Sequence, residues 1–199
     1  MRRKLVLIIG LLSLSVILTG CFNFGGDNGT TTTTDQTGST QVKQYQNSEF
    51  SLSYPADWEL ITPQDFTSDV PAETQLVIRN NLKNAIFTAN VNIVKNNVPA
   101  QTATLNYAKE VLNREKTGML DYKETKRDLT KVSVAGTEVE TYTVEFEAHL
   151  TQSDPLTHFV QTFAVKGTSG YIILGSYSLQ ENTTVVNKIS DIIKSFKLN

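Results

Sequence analysis

Cysteine is all but absent from this chain of 199 residues, where Cys21 stands alone. A single thiol cannot close an internal disulfide, and without a paired Cys motif there is neither a zinc ribbon nor a dithiol redox site. The folded part must therefore hold together by burial. Histidine is scarce too, His149 and His158 being the only pair. The chain has no Walker loop, no dinucleotide fingerprint, no His-Glu-x-x-His and no Gly-x-Ser-x-Gly elbow, so the commonest phosphate-binding, hydride-transfer, zinc-protease and serine-hydrolase signatures are missing. Positive charge is not in excess, with 18 Lys+Arg against 20 Asp+Glu and no basic stripe. Neutralisation of phosphate by Lys and Arg dominates nucleic-acid binding, and this balance argues against such a partner.

What is present starts at the N-terminus. Met1-Arg2-Arg3-Lys4 is basic, residues 5–18 are almost wholly apolar apart from Ser13 and Ser15, and Leu18-Thr19-Gly20-Cys21 follows. A membrane span needs roughly 20 apolar residues; this run is shorter and closes on small residues, as a cleaved signal peptide does. The order of basic, apolar, small and Cys resembles a bacterial lipoprotein signal peptide, with Leu18, Thr19 and Gly20 as its lipobox. That resemblance implies cleavage after residue 20 and attachment of a diacylglyceryl group to the Cys21 thiol. Each buried CH₂ of an acyl chain contributes about 0.8 kcal/mol, so two chains hold stably where one holds marginally. The chain is then expected on the extracytoplasmic side of a cell membrane, anchored through Cys21. Cleavage removes Arg2, Arg3 and Lys4 from the basic count and leaves a side-chain charge of about −5.

From residue 22 to about 42 the composition turns to Gly, Thr, Asn, Asp and Gln, with no apolar period. Nothing there buries enough surface to offset the entropy of ordering it, so residues 21–43 are read as the lipidated cysteine and a disordered linker. Residues 44–199 are enough for one domain and short for two.

Within that domain, Phe50, Leu52 and Tyr54 alternate with Ser51 and Ser53, the period of a half-buried strand, and Pro55 ends it. Trp58, the only tryptophan, is expected as a core anchor. Residues 75–79 and 85–95 read as strands joined through an Asn-rich turn; in the second, Phe87, Ala89, Val91 and Ile93 share a face opposite Thr88, Asn90 and Asn92. The period then changes. Thr104 is the expected N-cap of a helix carrying Leu105, Ala108, Val111 and Leu112 inward and stopped by Gly118. Residues 122–134 form a polar strand expected at an edge, where Lys123, Lys126, Arg127 and Lys131 would oppose edge-to-edge association. After Ala135-Gly136, Tyr142, Val144, Phe146 and Ala148 point one way and Thr141, Thr143, Glu145 and Glu147 the other. Phe159, Phe163 and Val165 begin the next inward row. A tight hairpin at residues 167–170 leads to residues 171–177, the most apolar strand, expected at the centre. A second helix, opened by Asn182 or Thr183, carries Val185, Val186, Ile189, Ile192, Ile193 and Phe196 as one stripe that must lie on the sheet. The sum is α+β: a mostly antiparallel twisted sheet with two packed amphipathic helices.

Phe50-Ser51-Leu52-Ser53-Tyr54-Pro55 followed by Trp58, a central helix, a run of hairpins, and a last helix closing in Ile192-Ile193-Lys194-Ser195-Phe196 resemble the PsbP family and its bacterial lipoprotein relatives. The resemblance implies a Mog/PsbP-like α/β/α sandwich and an extrinsic, non-enzymatic role. In that family PsbP docks on photosystem II in the thylakoid lumen and supports Ca²⁺ and Cl⁻ retention, and the Mog branch binds the GTPase Ran. The lipobox and Thr-rich tether depart from the plant protein.

The candidate chemistry is thin. His149 and His158 flank residues 150–157, so a hairpin could bring them near each other with Asp154 between; a metal site needs three or four ligands in set geometry, and these three make a weak candidate. Glu145 and Glu147 share a face, but paired carboxylates do acid–base work only when burial raises one of them, and a polar strand face predicts solvation. No residue is assigned a catalytic role and no cofactor is expected. The leading expectation is a tethered binding or assembly module with a protein partner in the cell envelope. Two alternatives stay open: a metal-dependent or other hydrolase around His149 and His158, and a carrier of a small apolar ligand between helix and sheet.

Overall fold

The computed structural model describes residues 41–67, 70–82 and 87–199. The expected signal peptide, the expected lipobox Leu18, Thr19 and Gly20, the expected attachment residue Cys21 and the expected linker up to residue 40 lie outside the described residues, as does the predicted onset of a strand at Ala85. The chain begins with β1 (Val42–Gln46) and β2 (Phe50–Pro55), then β3 (Trp58–Ile61), a short 3₁₀ turn (Pro63–Asp65), β4 (Thr74–Asn80) and β5 (Asn90–Asn97). Helix α1 (Thr104–Gly118) precedes β6 (Leu120–Val134), β7 (Thr137–His149), β8 (Thr157–Lys166) and β9 (Ser169–Ser178); α2 (Thr183–Ser195) and β10 (Lys197–Leu198) finish it.

Among the described residues ten strands join one sheet in the order β1-β2-β10-β6-β7-β8-β9-β5-β4-β3. Every pairing is antiparallel except β10 with β6, which is parallel, so the sheet is mixed. β2 and β3 are consecutive in the chain yet lie toward opposite ends of this order. Ala56 and Asp57 alone connect them, and three Cα steps span at most about 11 Å. The sheet must therefore curl until its ends approach, which makes a half-barrel rather than the twisted layer expected from the sequence. β9 lies between β8 and β5, at the centre as expected.

The two helices lie on opposite faces. On the inner face, Phe50, Leu52, Trp58, Ile78, Val91, Ile93, Tyr171 and Ile173 surround Ile189, Ile192 and Ile193 of α2 and Phe196 just past its end. On the other, Tyr107, Ala108, Val111 and Leu112 of α1 cover Val144, Phe146, Phe159, Phe163 and Ile172. Period-2 alternation along β8 and β9 sends successive residues to the two cores, which is why both strands are nearly continuously buried. Trp58 is only 3 % exposed, in the anchoring place expected of it.

The hairpins follow their turn chemistry. Ala135 (φ 50°) and Gly136 (φ 78°) give β6–β7 a two-residue turn with both centres left-handed, and Gly167 (φ 61°) opens the β8–β9 turn, where only the first centre is so. Asn182 caps α2, its side-chain oxygen accepting from the Thr184 N–H at 2.8 Å.

Several local expectations are corrected. Ala103, not Thr104, occupies the N-cap of α1, and Thr104 is the buried first residue of the helix. Leu105 is only half-buried, while Tyr107 and Glu115 turn inward. Thr141, expected on a wet face, is fully buried and donates to the Phe163 carbonyl at 2.9 Å. Strand β1 starts at Val42, inside the stretch read as linker; main-chain pairing with β2 holds it, and the side chain of Asn47 caps the turn by accepting from the N–H groups of Glu49 and Phe50, each at 2.8 Å. β10 has no sequence signal of its own. Lys197 and Leu198 pair with Ser51 and Phe50 on one side and with Ser133 and Val134 on the other, stapling β2 to β6.

Candidate functional site

The register of β7 against β8 places Glu147 opposite His158 and Glu145 opposite Val160. All four share the inner face, where Val160 packs against the apolar cluster of α2. His158 therefore stands between two carboxylates: its Nε2 is 3.5 Å from Glu145 Oε2 and its Nδ1 is 3.9 Å from Glu147 Oε1. The ring stacks on Tyr177 of β9, with centroids 4.8 Å apart. Burial, helped by the Glu145 charge, pushes the Tyr177 phenol up to about 12, so it stays a neutral hydroxyl at physiological pH.

β6 supplies the balancing cations. Lys126 reaches Asp128 at 2.7 Å and Glu145 at 3.8 Å, and Lys123 lies 4.0 Å from Glu147. The Thr130 and Thr143 hydroxyls meet at 3.0 Å in the same strip. Each carboxylate thus faces a cation or His158, and the strip is nearly neutral overall. His158 Nε2 is buried without a hydrogen-bond partner. The expected solvation of Glu145 and Glu147 is corrected: both are half-buried and face the imidazole.

His149 goes elsewhere. Its Nδ1 is 2.7 Å from the Asp154 backbone oxygen and its Nε2 is 3.7 Å from Asp121 Oδ2. The Asp154 carboxylate accepts from the Thr151 hydroxyl at 2.6 Å instead of turning to the imidazole. The hairpin therefore joins His149 to Asp154 through the main chain, and gives His158 different carboxylate neighbours. Among the described residues no group of three His, Cys, Asp or Glu side chains is placed to hold a metal ion.

A second polar centre, absent from the sequence reading, lies under α1. Glu115 projects into the outer-face core, where Gln161 Nε2 donates to its Oε2 at 2.5 Å; Gln161 is fully buried and Glu115 is 6 % exposed. Burial pushes the Glu115 carboxyl up to about 7, opposed by the Gln161 bond and by Arg114. Around it Tyr122 stacks on Phe146 (4.8 Å) and Phe146 on Phe159 (4.9 Å). Tyr107 donates no charge here: its hydroxyl accepts from Asn96 Nδ2 at 2.9 Å, and burial lifts it to about 12. Helical spacing could have shown Glu115, which is four residues past Val111 on the same stripe, but its acidic character points to solvent. The Gln161 partner depends on tertiary packing.

The fold is shared with solved structures. Cyanobacterial PsbP from Synechocystis sp. PCC 6803 superposes with a TM-score of 0.55 at 14 % identity, over 84 % of this chain and 98 % of that one. The fold is PsbP-like. LpqN of Mycobacterium tuberculosis, a protein described as involved in cell envelope biogenesis, matches at a TM-score of 0.51 and 13 % identity, over 79 % of this chain and 91 % of that one. No family model matches the chain, and no curated protein sequence does. At these identities the likeness speaks for the fold alone.

Proposed function

We propose that this chain is a non-enzymatic binding or assembly module, held on the extracytoplasmic side of a cell membrane through lipidated Cys21 and engaging a protein partner of the cell envelope. The observation that carries the reading is the strip on the sheet. Its acids and lysines balance one another around His158, so it offers a broad polar docking face and no activated nucleophile. The lipobox at residues 18–21 supports the anchor, and the PsbP-like fold, shared with a protein involved in envelope biogenesis, supports the setting.

The test places a photo-reactive side chain at Lys126, in the strip, and as a control at Lys109 on the exposed side of α1, both in intact cells. Capture of one envelope protein from Lys126 and not from Lys109, with release of the protein from membranes in Cys21→Ser, supports the module. Stoichiometric metal in the purified protein, lost in both His149→Ala and His158→Ala, would replace it with a metal-dependent enzyme. Lipid that co-purifies with the Cys21→Ser protein would replace it with an apolar-ligand carrier.

A further inference from the structure

β6 has a free side. β7 pairs with it from Leu120 to Val134, whereas on its other edge β10 reaches only Ser133 and Val134. Among the described residues no strand pairs with that outer edge ahead of Ser133. An edge with open main-chain donors and acceptors is a template for another strand, and the side chains along this one decide which strand fits.

The register with β7 shifts between Glu124 and Lys126, leaving Thr125 as the extra residue of an irregularity in the strand. That shift changes which residues share a face. Lys123 and Asp128 lie opposite Glu147 and Thr143, on the inner face; Glu124, Arg127 and Leu129 lie opposite Phe146, Val144 and Tyr142, on the outer face. Tyr122 stacks on Phe146 and joins the outer set. In an uninterrupted strand, residues an odd number of positions apart, such as 123 and 128, would point to opposite faces. Here they point to the same one.

This pattern is its own complement. Laid antiparallel on a copy of itself about a two-fold axis between Thr125 and Lys126, Lys123 meets Asp128, Glu124 meets Arg127 and Tyr122 meets Leu129, each pair on a matching face and each occurring twice. Leu129 is 59 % exposed in the single chain, an apolar side chain that this pairing would cover. The arrangement is the isologous kind that closes at two copies. We propose that β6 is a self-recognition edge, through which two copies of this chain join their sheets into one. The lysines and Arg127 that oppose association with a like-charged strand favour it in this single register. Two short strand edges bury a small interface, so association is weak in solution and favoured where tethers confine both copies to a membrane.

The test uses two differently tagged full chains co-produced in the same cells and solubilised in mild detergent. Arg127→Glu and Glu124→Arg each place like charges opposite each other in a homodimer, while one copy of each restores both pairs. Wild type should co-purify with wild type, each variant should lose roughly tenfold or more of self-capture, and the mixed Arg127→Glu and Glu124→Arg pair should regain it. Both substitutions also break the Arg127–Glu124 pair within one chain, where the closest approach is 2.6 Å; recovery in the mixture separates recognition between copies from that local loss. Wild-type copies that do not capture each other, variants that still self-associate, or a mixture that stays apart while each protein unfolds at the wild-type temperature would each overturn the proposal.

Discussion

Gly175 of β9 lies directly beneath Ile189 of α2, so close that a Cβ on Gly175 would stand 2.3 Å from Ile189 Cγ2 and 3.0 Å from Val160 Cγ1. The helix rests on bare backbone there. This contact sets how deep α2 sits in the half-barrel, and with it the packing of Phe196 on Phe50 at 5.5 Å.

Gly175→Ala is therefore expected to destabilise the fold by about 1–3 kcal/mol, the usual range for an overpacked core. Ile189→Ala alone should also destabilise. In Gly175→Ala/Ile189→Ala the new methyl occupies space the isoleucine vacated, so the double variant should be more stable than the sum of the two losses predicts. Urea unfolding of the four proteins measures the coupling, and strict additivity would remove the contact from the account.

Glu115 should make stability depend on pH in an unusual direction. Its carboxyl is raised from the ordinary 4.5 to about 7 by burial, so the folded protein holds a proton that the unfolded chain releases. The contribution is complete below about pH 4.5, declines as pH rises through 7, and amounts to about 3 kcal/mol over that interval. Glu115→Gln keeps a neutral hydrogen-bonding group beside Gln161 and should flatten this part of the profile. Unfolding free energies between pH 5 and pH 8.5 for the two proteins decide it; parallel profiles would show that Glu115 titrates normally.

Leu198 is 2 % exposed and lies in a strand of two residues. Leu198→Ala is expected to cost about 2–4 kcal/mol, as for other buried leucines. Removing Lys197, Leu198 and Asn199 together should cost more, because it also strips the main-chain bonds that join β2 to β6. Hydrogen exchange would report this as faster exchange at Ala135, whose N–H donates to the Leu198 carbonyl at 2.7 Å.

At the start of α2, Asn182→Ala removes the acceptor for the Thr184 N–H and should destabilise by about 1 kcal/mol, whereas Asn182→Asp should retain the cap. Thermal unfolding of both variants checks it. An equal loss in each would mean that the side-chain bond contributes nothing.

Burial patterns made most elements legible. Phe50, Leu52 and Tyr54, the stripe from Val185 to Phe196, and the apolar run of β9 each record in their spacing which face meets the core, because strands and helices have fixed periods. Glu115 defied that reading because an acidic residue on a core stripe becomes tolerable only when a particular partner, Gln161, arrives from a distant strand.

What the amino-acid sequence determined by itself was local: strand and helix periods, turn positions at Ala135-Gly136 and Gly167, a cap for the last helix at Asn182 or Thr183, and the expectation of a lipid anchor at Cys21. Tertiary structure alone decided which strands are neighbours. β1 exists through main-chain pairing with the neighbouring β2 and β10 through pairing with β2 and β6, far away in sequence; the short Ala56-Asp57 link curls the sheet, and the β7–β8 register brings His158 between Glu145 and Glu147 while His149 turns to the Asp154 carbonyl. The physical reason is that a hydrophobic period reports whether a side chain is buried and carries no record of the backbone it is buried against.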